Sequence, residues 1–229
     1  MAHAAAAPFH IGLTPERVID VAWELTGESH LSGWSIRDLA KRLEVAPSVI
    51  YHHVGGKDML ARYVVERVLT RLALPDASLE WREWFRSLLL SGYPVIAASP
   101  GVAKWLLMHG PTFPSVVPIV EAGMSALVRG GFGDRAGIAY AALLNNAMLT
   151  ITIGDDRLVH EDDGPRDHAT MMTEFRQASI DSPGLTDLAE GFITPFARGG
   201  EDAARQREDY YRFIVDSTIA GIAATLQVP

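Results

Sequence analysis

At 229 residues, with 48% hydrophobic and 21% charged residues, the sequence has the composition of a folded protein with a sizeable core. It contains no cysteine, which excludes a disulfide framework and a thiolate metal site and suits a reducing cytoplasm. The net charge of −8 argues against a protein that coats nucleic acid. Residues 1–73 hold eight Lys or Arg and eight Asp or Glu, leaving 12 and 20 for residues 74–229, so the acidic excess lies in the second part.

The first predicted helix begins after Thr14. Residues 1–13 lack the basic start and long apolar core of a signal peptide, and we expect a flexible tail there. Thr14 is a good N-cap, and Pro15 suits the first helical position because its fixed φ fits and its missing N–H costs nothing. A second helix should begin at Ser35, with Asp38 three residues later, close to the capping-box pattern.

The segment SIRDLAKRLEVAPSVIYHHVGGKDML, residues 35–60, predicts two short amphipathic helices joined by a tight corner. Apolar residues recur at helical spacing on both sides of Val45. Pro47 marks the start of the second of these helices, and Gly55-Gly56 ends it. The polar face of that helix carries hydroxyl and imidazole groups that can donate to phosphates or base edges: Ser48, Tyr51, His52 and His53. We interpret the segment as a helix-turn-helix that reads DNA.

Several residues of this segment resemble, in type and spacing, the tetracycline-repressor (TetR) family of bacterial transcription regulators. They are Leu39, Ala40, Leu43, Val45, Ile50, Tyr51, His53, Val54, Lys57 and Leu60. The resemblance covers residues 14–62 and implies an all-α protein with a three-helix DNA-binding domain and a larger helical domain for ligand binding and dimerisation. It also implies repression, because most of the family represses.

The resemblance assigns roles within the segment. Base contacts are expected from Arg37, Ser48, Val49 and His52. Phosphate contacts are expected from Ser35, Tyr51, His53 and Lys57, with Pro47 at the start of the reading helix. The alternative for His52 and His53, packed surface histidines, stays open on the residues alone.

Two positions depart from the family pattern. Glu44 stands at the corner where glycine is usual, and Ala46 stands where a Ser or Thr usually caps the reading helix. A missing cap typically costs about 1 kcal/mol, so the turn must be stabilised in another way.

The rest of the chain also predicts helices, since no period-2 alternation is sustained anywhere. A helix from Lys57 to about Leu72 extends beyond the DNA-binding domain of residues 14–60, so we interpret residues 61–74 as a connecting helix and residues 75–229 as the second domain. Further helices are expected from Ser78 until Pro94 kinks or stops the helix, from Gly101 to His109 after a Ser99-Pro100 cap, from Ser115 to Arg129, from the Asp134 cap to about Gly154, from Ala169 to Ala178, and from about Asp202 to Leu226. Residues 155–167 are predicted to be an acidic turn-rich segment, and residues 179–200 a Gly/Pro-punctuated stretch.

The apolar run 136–153 approaches membrane-spanning length. Asn145 and Asn146 interrupt it and Asp155-Asp156 follow it, so we favour a buried helix and expect no membrane. Small residues in this run and in the last helix permit close helix approach. On the residues alone, the two helices either pair across a two-fold axis as a four-helix bundle or form the centre of a monomer. The family resemblance favours the homodimer.

A ligand pocket in the second domain is the next expectation. Met and aromatic residues beside helix breaks can line a mouldable apolar pocket, although most such residues simply pack the core. Asn145 and His109 are polar positions that need partners if buried, either a ligand, a dimer mate or an interhelical hydrogen bond. The candidate ligand-binding residues are Phe85, Leu89, Trp105, Met108, His109, Phe113, Met124, Asn145 and Met148.

One acidic cluster contains possible ligands for a divalent cation: Asp155, Asp156, His160, Glu161, Asp162, Asp163, Asp167 and His168. Their spacing fits no metal template, so a solvated loop is favoured and no metal or other cofactor is expected. Nucleophile elbows and phosphate-binding glycine loops are absent from the sequence, which gives no support for an enzyme.

The favoured hypothesis is a cytoplasmic, sequence-specific DNA-binding transcriptional regulator. It would act as a homodimeric repressor that a small, largely apolar ligand releases from a palindromic operator. The alternative is a helical small-molecule-binding protein or enzyme with a non-functional DNA head.

Overall fold

The computed structural model describes residues 12–160, 162–180 and 182–226. These residues form helices and no strand, which confirms the all-α fold class. Most of the predicted tail and Glu161 of the acidic cluster lie outside the described residues. The helices are α1 (Pro15–Glu28), α2 (Ile36–Arg42), α3 (Pro47–Val54), α4 (Lys57–Leu69), α5 (Trp81–Ala97), α6 (Val102–His109), α7 (Val117–Arg129), α8 (Ala136–Leu158), α9 (His168–Ala178), α10 (Pro183–Leu188), α11 (Thr194–Arg198) and α12 (Gly200–Ala224).

Helices α1 to α4 form the N-terminal head, in which α2 and α3 both pack on α1. The head core consists of fully buried aliphatic side chains, among them Val18, Leu39, Ile50, Leu60 and Val64. Each comes from the apolar stripe of its helix, so burying the stripes holds the helices at their crossing angles. Charged pairs brace the outside: Arg42 donates two hydrogen bonds of 2.6 Å to Glu28.

The larger body is arranged around α8, which packs against α5, α6, α7 and α12. The N-terminal half of α5 supplies its heaviest buried side chains, Trp81, Trp84 and Phe85. Pro94 lies inside α5 without ending it, and the helix continues to Ala97. Because one helix meets four others, its position sets the spacing of the whole body.

Three predicted helix starts were wrong. Helix α5 begins at Trp81 rather than Ser78, with Glu80 as the N-cap residue that accepts from the Arg82 amide. Asp134 caps nothing, because it lies in a 3₁₀ turn before α8. Ser99 is buried and its hydroxyl accepts from the Trp23 indole at 2.9 Å, so it is not free to cap α6.

Three other boundaries also differ from the prediction. Helix α4 ends at Leu69, one turn before Leu72. Helix α8 continues to Leu158, so Asp155 and Asp156 are helical rather than part of a turn. The stretch 179–200 contains α10, α11 and a π turn, because its prolines occupy first-turn positions where a missing N–H is harmless.

One described helical stretch, Gly133–Leu158, is long and apolar enough to cross a membrane by length and composition, and part of it is buried inside the protein. A second stretch qualifies only if the helices Val102–His109 and Pro114–Arg129, which meet at 95°, are counted together as one span.

The corner between α2 and α3 has the geometry that its sequence does not favour. Glu44 has a φ of 55°, in the left-handed region that usually requires glycine. The Val45 amide donates to the Ala40 carbonyl at 3.0 Å and the Glu44 amide to the Lys41 carbonyl at 3.3 Å, which is a Schellman motif. Ala46 is the N-cap of α3 and its side chain makes no capping bond. The two departures therefore leave the expected turn in place.

We predict that Glu44→Gly stabilises the protein by about 0.5–1 kcal/mol. A left-handed residue with a side chain costs roughly 1–2 kcal/mol, and glycine removes this strain. Part of the stabilisation is offset because glycine gives the unfolded chain more conformational entropy. Chemical denaturation followed by circular dichroism measures the change. The matched control is Glu24→Gly in the interior of α1, which should lose about 1 kcal/mol; equal losses at both positions would contradict the strain at Glu44.

Candidate functional site

The polar face of α3 is open to solvent. Pro47, Ser48 and His52 are exposed, and Tyr51 is 55% exposed although its neighbour Ile50 is fully buried. Val49 and His53 are half-buried at the edges of that face. The helix therefore presents a row of hydroxyl and imidazole groups beside a fixed apolar side, as a reading helix requires.

The start of α2 borders this face. Ser35 and Asp38 form a complete capping box, in which the Ser35 amide donates to the Asp38 carboxylate at 2.8 Å. Arg37 is exposed and has no ion-pair partner among the described residues. It is therefore a cation available to a nucleic acid, whereas Arg42 is held by Glu28.

Lys57 is placed differently from the expectation. Its ammonium lies 3.9 Å from the centre of the Trp34 ring and donates to the Trp34 carbonyl. Burial lowers the pKa of Lys57, with Asp38 and Asp58 acting in the opposite direction. In this structure Lys57 braces the start of α4 against the loop before α2.

A cavity of about 330 Å³ lies in the body. Its walls come from the end of α4, the C-terminal half of α5, α6, the α6–α7 connection, α7, α8 and one residue of α12. The lining residues are Leu69, Leu72, Leu88, Leu89, Gly92, Ile96, Leu106, Leu107, Pro111, Val116, Ile119, Val120, Tyr140, Ala141, Leu144, Asn145, Met148 and Tyr211.

The wall of this cavity carries no ionisable group apart from two tyrosines. Burial raises the pKa of Tyr140 to about 12, and it also raises the pKa of Tyr211, so both phenols are neutral at pH 7. The Tyr211 hydroxyl donates to the Leu89 carbonyl at 3.0 Å and is already satisfied. Asn145 is exposed, which places its amide at the rim. The cavity can therefore receive an uncharged apolar molecule with a polar group near Asn145.

Three of the nine predicted ligand-binding residues line this cavity: Leu89, Asn145 and Met148. The other six do not. Phe85 packs behind the wall against Trp84 and Tyr140, and Phe113 is buried against Trp105. Trp105 stacks on His109, whose ring nitrogen lies 3.0 Å from the Trp105 carbonyl. Met108 is 75% exposed, and Met124 is half-buried on α7.

The residues that sequence reasoning missed are mostly aliphatic, with leucine the commonest, and such residues carry no distinguishing signal. Leu69 and Leu72 belong to the end of α4 and the turn after it, and their three-residue spacing places them on one side of the chain. Tyr211 was detectable in principle, because the pair Tyr210-Tyr211 interrupts a mostly charged stretch of the sequence; in the structure Tyr211 is fully buried.

The head meets the body at the corner between α5 and α6, residues 98–101. The Leu31 amide of the head donates to the Pro100 carbonyl at 2.8 Å, and the Trp23 indole donates to Ser99 at 2.9 Å. Gly101, next in the chain, has a φ of 91° and donates its amide to Asp155 at the end of α8, at 2.9 Å. We call these contacts the head–body junction.

Two ionisable groups are buried at the head–body junction. Asp155 is 4% exposed, and burial raises its pKa to about 6, with Asp156 acting in the same direction and the Gly101 amide and Arg207 opposing. Burial also lowers the pKa of His30. Asp156 raises this pKa, and Lys104 and Lys57 lower it further. His30 is therefore neutral at pH 7.

Apart from Asp155, the described charged side chains of the acidic segment are at least partly exposed. Asp163 lies 3.2 Å from His160 and also pairs with Arg166, while Asp167 caps α9 by accepting from the Thr170 amide. Among the residues that the structure describes, no three His, Asp or Glu side chains come together as metal ligands.

An apolar strip lies on the outer side of α8 and α12. Ile138 is 74% exposed and Phe213 is 66% exposed, and Leu149 and Ile153 continue the strip along α8. The two helices are close neighbours, with the Asn146 amide 3.4 Å from the Thr218 hydroxyl. Exposed apolar area of this kind typically marks an interaction surface.

Comparisons with known proteins agree with this arrangement. An HTH-type transcriptional regulator of Saccharopolyspora erythraea is 24% identical over 175 residues, 76% of this chain and 73% of the relative. The tetracycline repressor protein class D of Escherichia coli is 29% identical over 142 residues, 60% of this chain and 64% of the repressor, so the match spans less than two thirds of that relative. No family model matches the chain.

Among solved structures, the TetR family protein ActR from Streptomyces coelicolor, in complex with actinorhodin, matches with a TM-score of 0.66 and 23% identity, over 92% of this chain and 97% of ActR. That likeness establishes the fold. Together with the curated regulators, it confirms the resemblance to the TetR family that residues 14–62 predicted.

We predict that the free energy of unfolding of the native chain rises, relative to that of the Asp155→Asn variant, as the pH falls. Folding raises the pKa of Asp155 from about 3.9 to about 6, so the folded state binds the proton more tightly than the unfolded chain does. The stabilising contribution is complete below about pH 4 and is lost as the pH rises through about 6; at full size it is about 2–3 kcal/mol.

Urea denaturation of both proteins at several pH values between 4 and 7 measures this difference. Asp216→Asn is the control, since Asp216 is exposed, pairs with Arg86 at 2.8 Å and is not among the groups that act on Asp155. A stability difference between Asp155→Asn and the native chain that stays constant across this range would contradict the buried carboxylate.

Proposed function

We propose that this chain, a transcriptional regulator of the TetR type, binds an operator in DNA and leaves it when a small neutral molecule enters the body cavity. One observation supports the coupling more than any other: Leu69 and Leu72, at the end of the helix that belongs to the head, form part of the cavity wall. An occupant of the cavity therefore touches the head directly.

The proposed reading surface is α3 with the start of α2. In this proposal Arg37, Ser48, Val49 and His52 face base edges, while Ser35, Tyr51 and His53 contact phosphates. Lys57 joins the phosphate contacts only when its flexible side chain turns away from the Trp34 carbonyl. The small number of free cations on this surface implies that affinity rests on a few placed contacts rather than on overall charge.

The proposed active form is a homodimer in the cytoplasm. A second copy would cover the apolar strip on α8 and α12, giving a four-helix bundle around a two-fold axis. Two heads related by that axis require two half-sites in opposite orientation, which makes the operator a palindrome. The proposal assigns the protein no catalytic role and no membrane.

The proposed effector is neutral, largely apolar and small enough for about 330 Å³. A charged group would lose its hydration and find no counter-charge on a wall of leucine, isoleucine and valine. The effector must bind more tightly to the conformation in which the heads no longer match the half-sites, because only differential affinity can shift that balance.

We predict that genome-fragment selection with the purified chain recovers a palindromic duplex that binds two chains. On that duplex Arg37→Ala should weaken binding about 5- to 150-fold, the loss of about 1–3 kcal/mol that is typical of a base contact. Tyr51→Phe should weaken binding less, and equally on all sequences. Fluorescence anisotropy at two salt concentrations measures both effects, and sedimentation gives the stoichiometry.

The matched control for this experiment is Arg135→Ala, which removes an exposed arginine at the far end of α8. It should leave operator binding unchanged. Recovery of no duplex, or equal losses for Arg37→Ala and Arg135→Ala, would refute the assigned surface and favour a small-molecule-binding protein whose head does not read DNA.

We predict that the neutral fluorescent probe N-phenyl-1-naphthylamine binds the cavity and that its sulfonated relative 8-anilinonaphthalene-1-sulfonate binds at least tenfold more weakly. The apolar wall can accept the amine but cannot solvate the sulfonate. Leu144→Trp, which fills the cavity, should abolish probe binding, whereas Leu74→Trp, at an exposed leucine outside the cavity, should not. Equal binding of the two probes would show that the site is not the apolar cavity.

A further inference from the structure

The two helices that face each other across the cavity are also joined where α6 begins, by one buried hydrogen bond and by the exposed pair of Lys104 with Asp156. Helix α8 lines the cavity with Asn145 and Met148, and about two turns later it ends near Asp155. Helix α6 lines the cavity with Leu106 and Leu107, and it begins just after Gly101. The Asp155 carboxylate accepts from the Gly101 amide at 2.9 Å and is buried. Any molecule that spreads α6 from α8 must strain this bond.

The head is attached at the same place. His30 of the head lies directly on Gly101, so closely that a Cβ on Gly101 would stand 2.4 Å from the ring carbon Cε1. The next head residue, Leu31, donates its amide to the Pro100 carbonyl at 2.8 Å. These contacts therefore form a continuous path from the cavity wall, through Gly101 and Pro100, to the loop that precedes α2.

We propose that Asp155 is the positioning residue that couples the cavity to the DNA-reading head, by holding the α5–α6 corner in the place where His30 and Leu31 dock. The proposal rests on the proposed function for its consequence in DNA binding, but the mechanical link itself involves only residues described above. Asp155 touches neither DNA nor the effector.

The choice of residue supports a specific role. Helix α6 has no side chain of its own to cap its first amides, because its N-cap is Gly101 in a left-handed conformation. An acceptor on another helix does this work, and so the start of α6 is fixed to α8 rather than to its own neighbours. The acceptor is a buried carboxylate, which costs free energy to desolvate, at a position where burial of an apolar residue would cost none.

The surroundings of Asp155 offer no replacement for it. The charged and titratable groups that face it are Asp156 on its own helix, Arg207 on α12 and Tyr93 on α5, and none of them bonds to the Gly101 amide in the structure. The His30 Nε2 atom is also buried and without a partner in the described residues, so it adds no second tie. Loss of the Asp155 acceptor thus removes the buried hydrogen bond from α8 to the corner and leaves helix packing and the exposed pair of Lys104 with Asp156.

The test compares Asp155→Ala, Asp155→Asn and Asp156→Ala in the full-length protein, with two measurements. Hydrogen exchange followed by mass spectrometry reports on peptides that contain the α5–α6 corner, residues 98–104, and the head loop, residues 28–34. Anisotropy reports affinity for the selected operator. Asp155→Ser, whose hydroxyl is too short to reach the Gly101 amide, is measured beside Asp155→Ala in case the alanine variant does not fold.

Asp155→Ala or Asp155→Ser should exchange at least tenfold faster in both peptides and bind the operator at least tenfold more weakly. Asp155→Asn keeps an acceptor oxygen and should stay within about threefold of the native chain, a difference of under 1 kcal/mol. Asp156→Ala breaks the other polar tie between α6 and α8, the pair with Lys104, and because an exposed ion pair contributes little, this variant should match the native chain.

Faster exchange confined to the corner, with the head loop and operator affinity unchanged, would overturn the proposal, because Asp155 would then only cap α6. If the native chain binds no operator, the proposed function fails separately. In that case the head-loop peptide decides alone: faster exchange in Asp155→Ala supports the mechanical link, and unchanged exchange refutes it.

Discussion

The burial of helix α8 among four neighbours is the constraint on which the rest of the structure depends. Its apolar length allows it to pack against α5, α6, α7 and α12 at once, and the gaps left between these helices form the cavity. Its outer side remains apolar and exposed, and its last buried residue, Asp155, reaches the corner that carries the head. Helix α8 thus takes part in core packing, in the cavity wall, in the proposed dimer surface and in the attachment of the head. A change in its position therefore affects all four.

The helical class and the helix-turn-helix could be predicted because both rest on local patterns. Apolar spacing, the Thr14 and Ser35 caps and Pro47 act within one turn of the chain, and the structure reproduces them. Two of the wrong predictions, those for Ser99 and Asp155, have a common origin. Ser99 looked like a cap because its type favours one, but a distant indole, Trp23, takes its hydroxyl. Asp155 looked like part of a solvated acidic loop, yet the fold buries it. Such long-range pairings leave no trace in local sequence.

The candidate ligand residues show the same limit in another form. Choosing Met, Trp and His favoured side chains that are chemically distinctive, whereas the cavity is built mostly from aliphatic side chains, leucine above all, that resemble those elsewhere in the core. Which leucines face empty space depends on how well the helices fill the volume between them, and this is a property of the packed structure. Asn145 was found because a polar residue in an apolar helix requires an explanation. Glu44 and Ala46 show the converse, since unfavourable residues at the corner are overridden by the packing of α2 and α3 on α1.

The shared cavity wall also restricts how this protein can change its ligand during evolution. Leu69 and Leu72 serve the head as well as the cavity, so enlarging the cavity at these positions would loosen the head even before any ligand enters. The wall formed by Ile119 and Val120, in the first turn of α7, has no such second contact among the described residues, whereas the turn that ends at Val116 packs against α4. Ligands of a new size can therefore be accommodated along α7 with the least disturbance of the head. Related regulators with different ligands should differ there while keeping the α4 side constant.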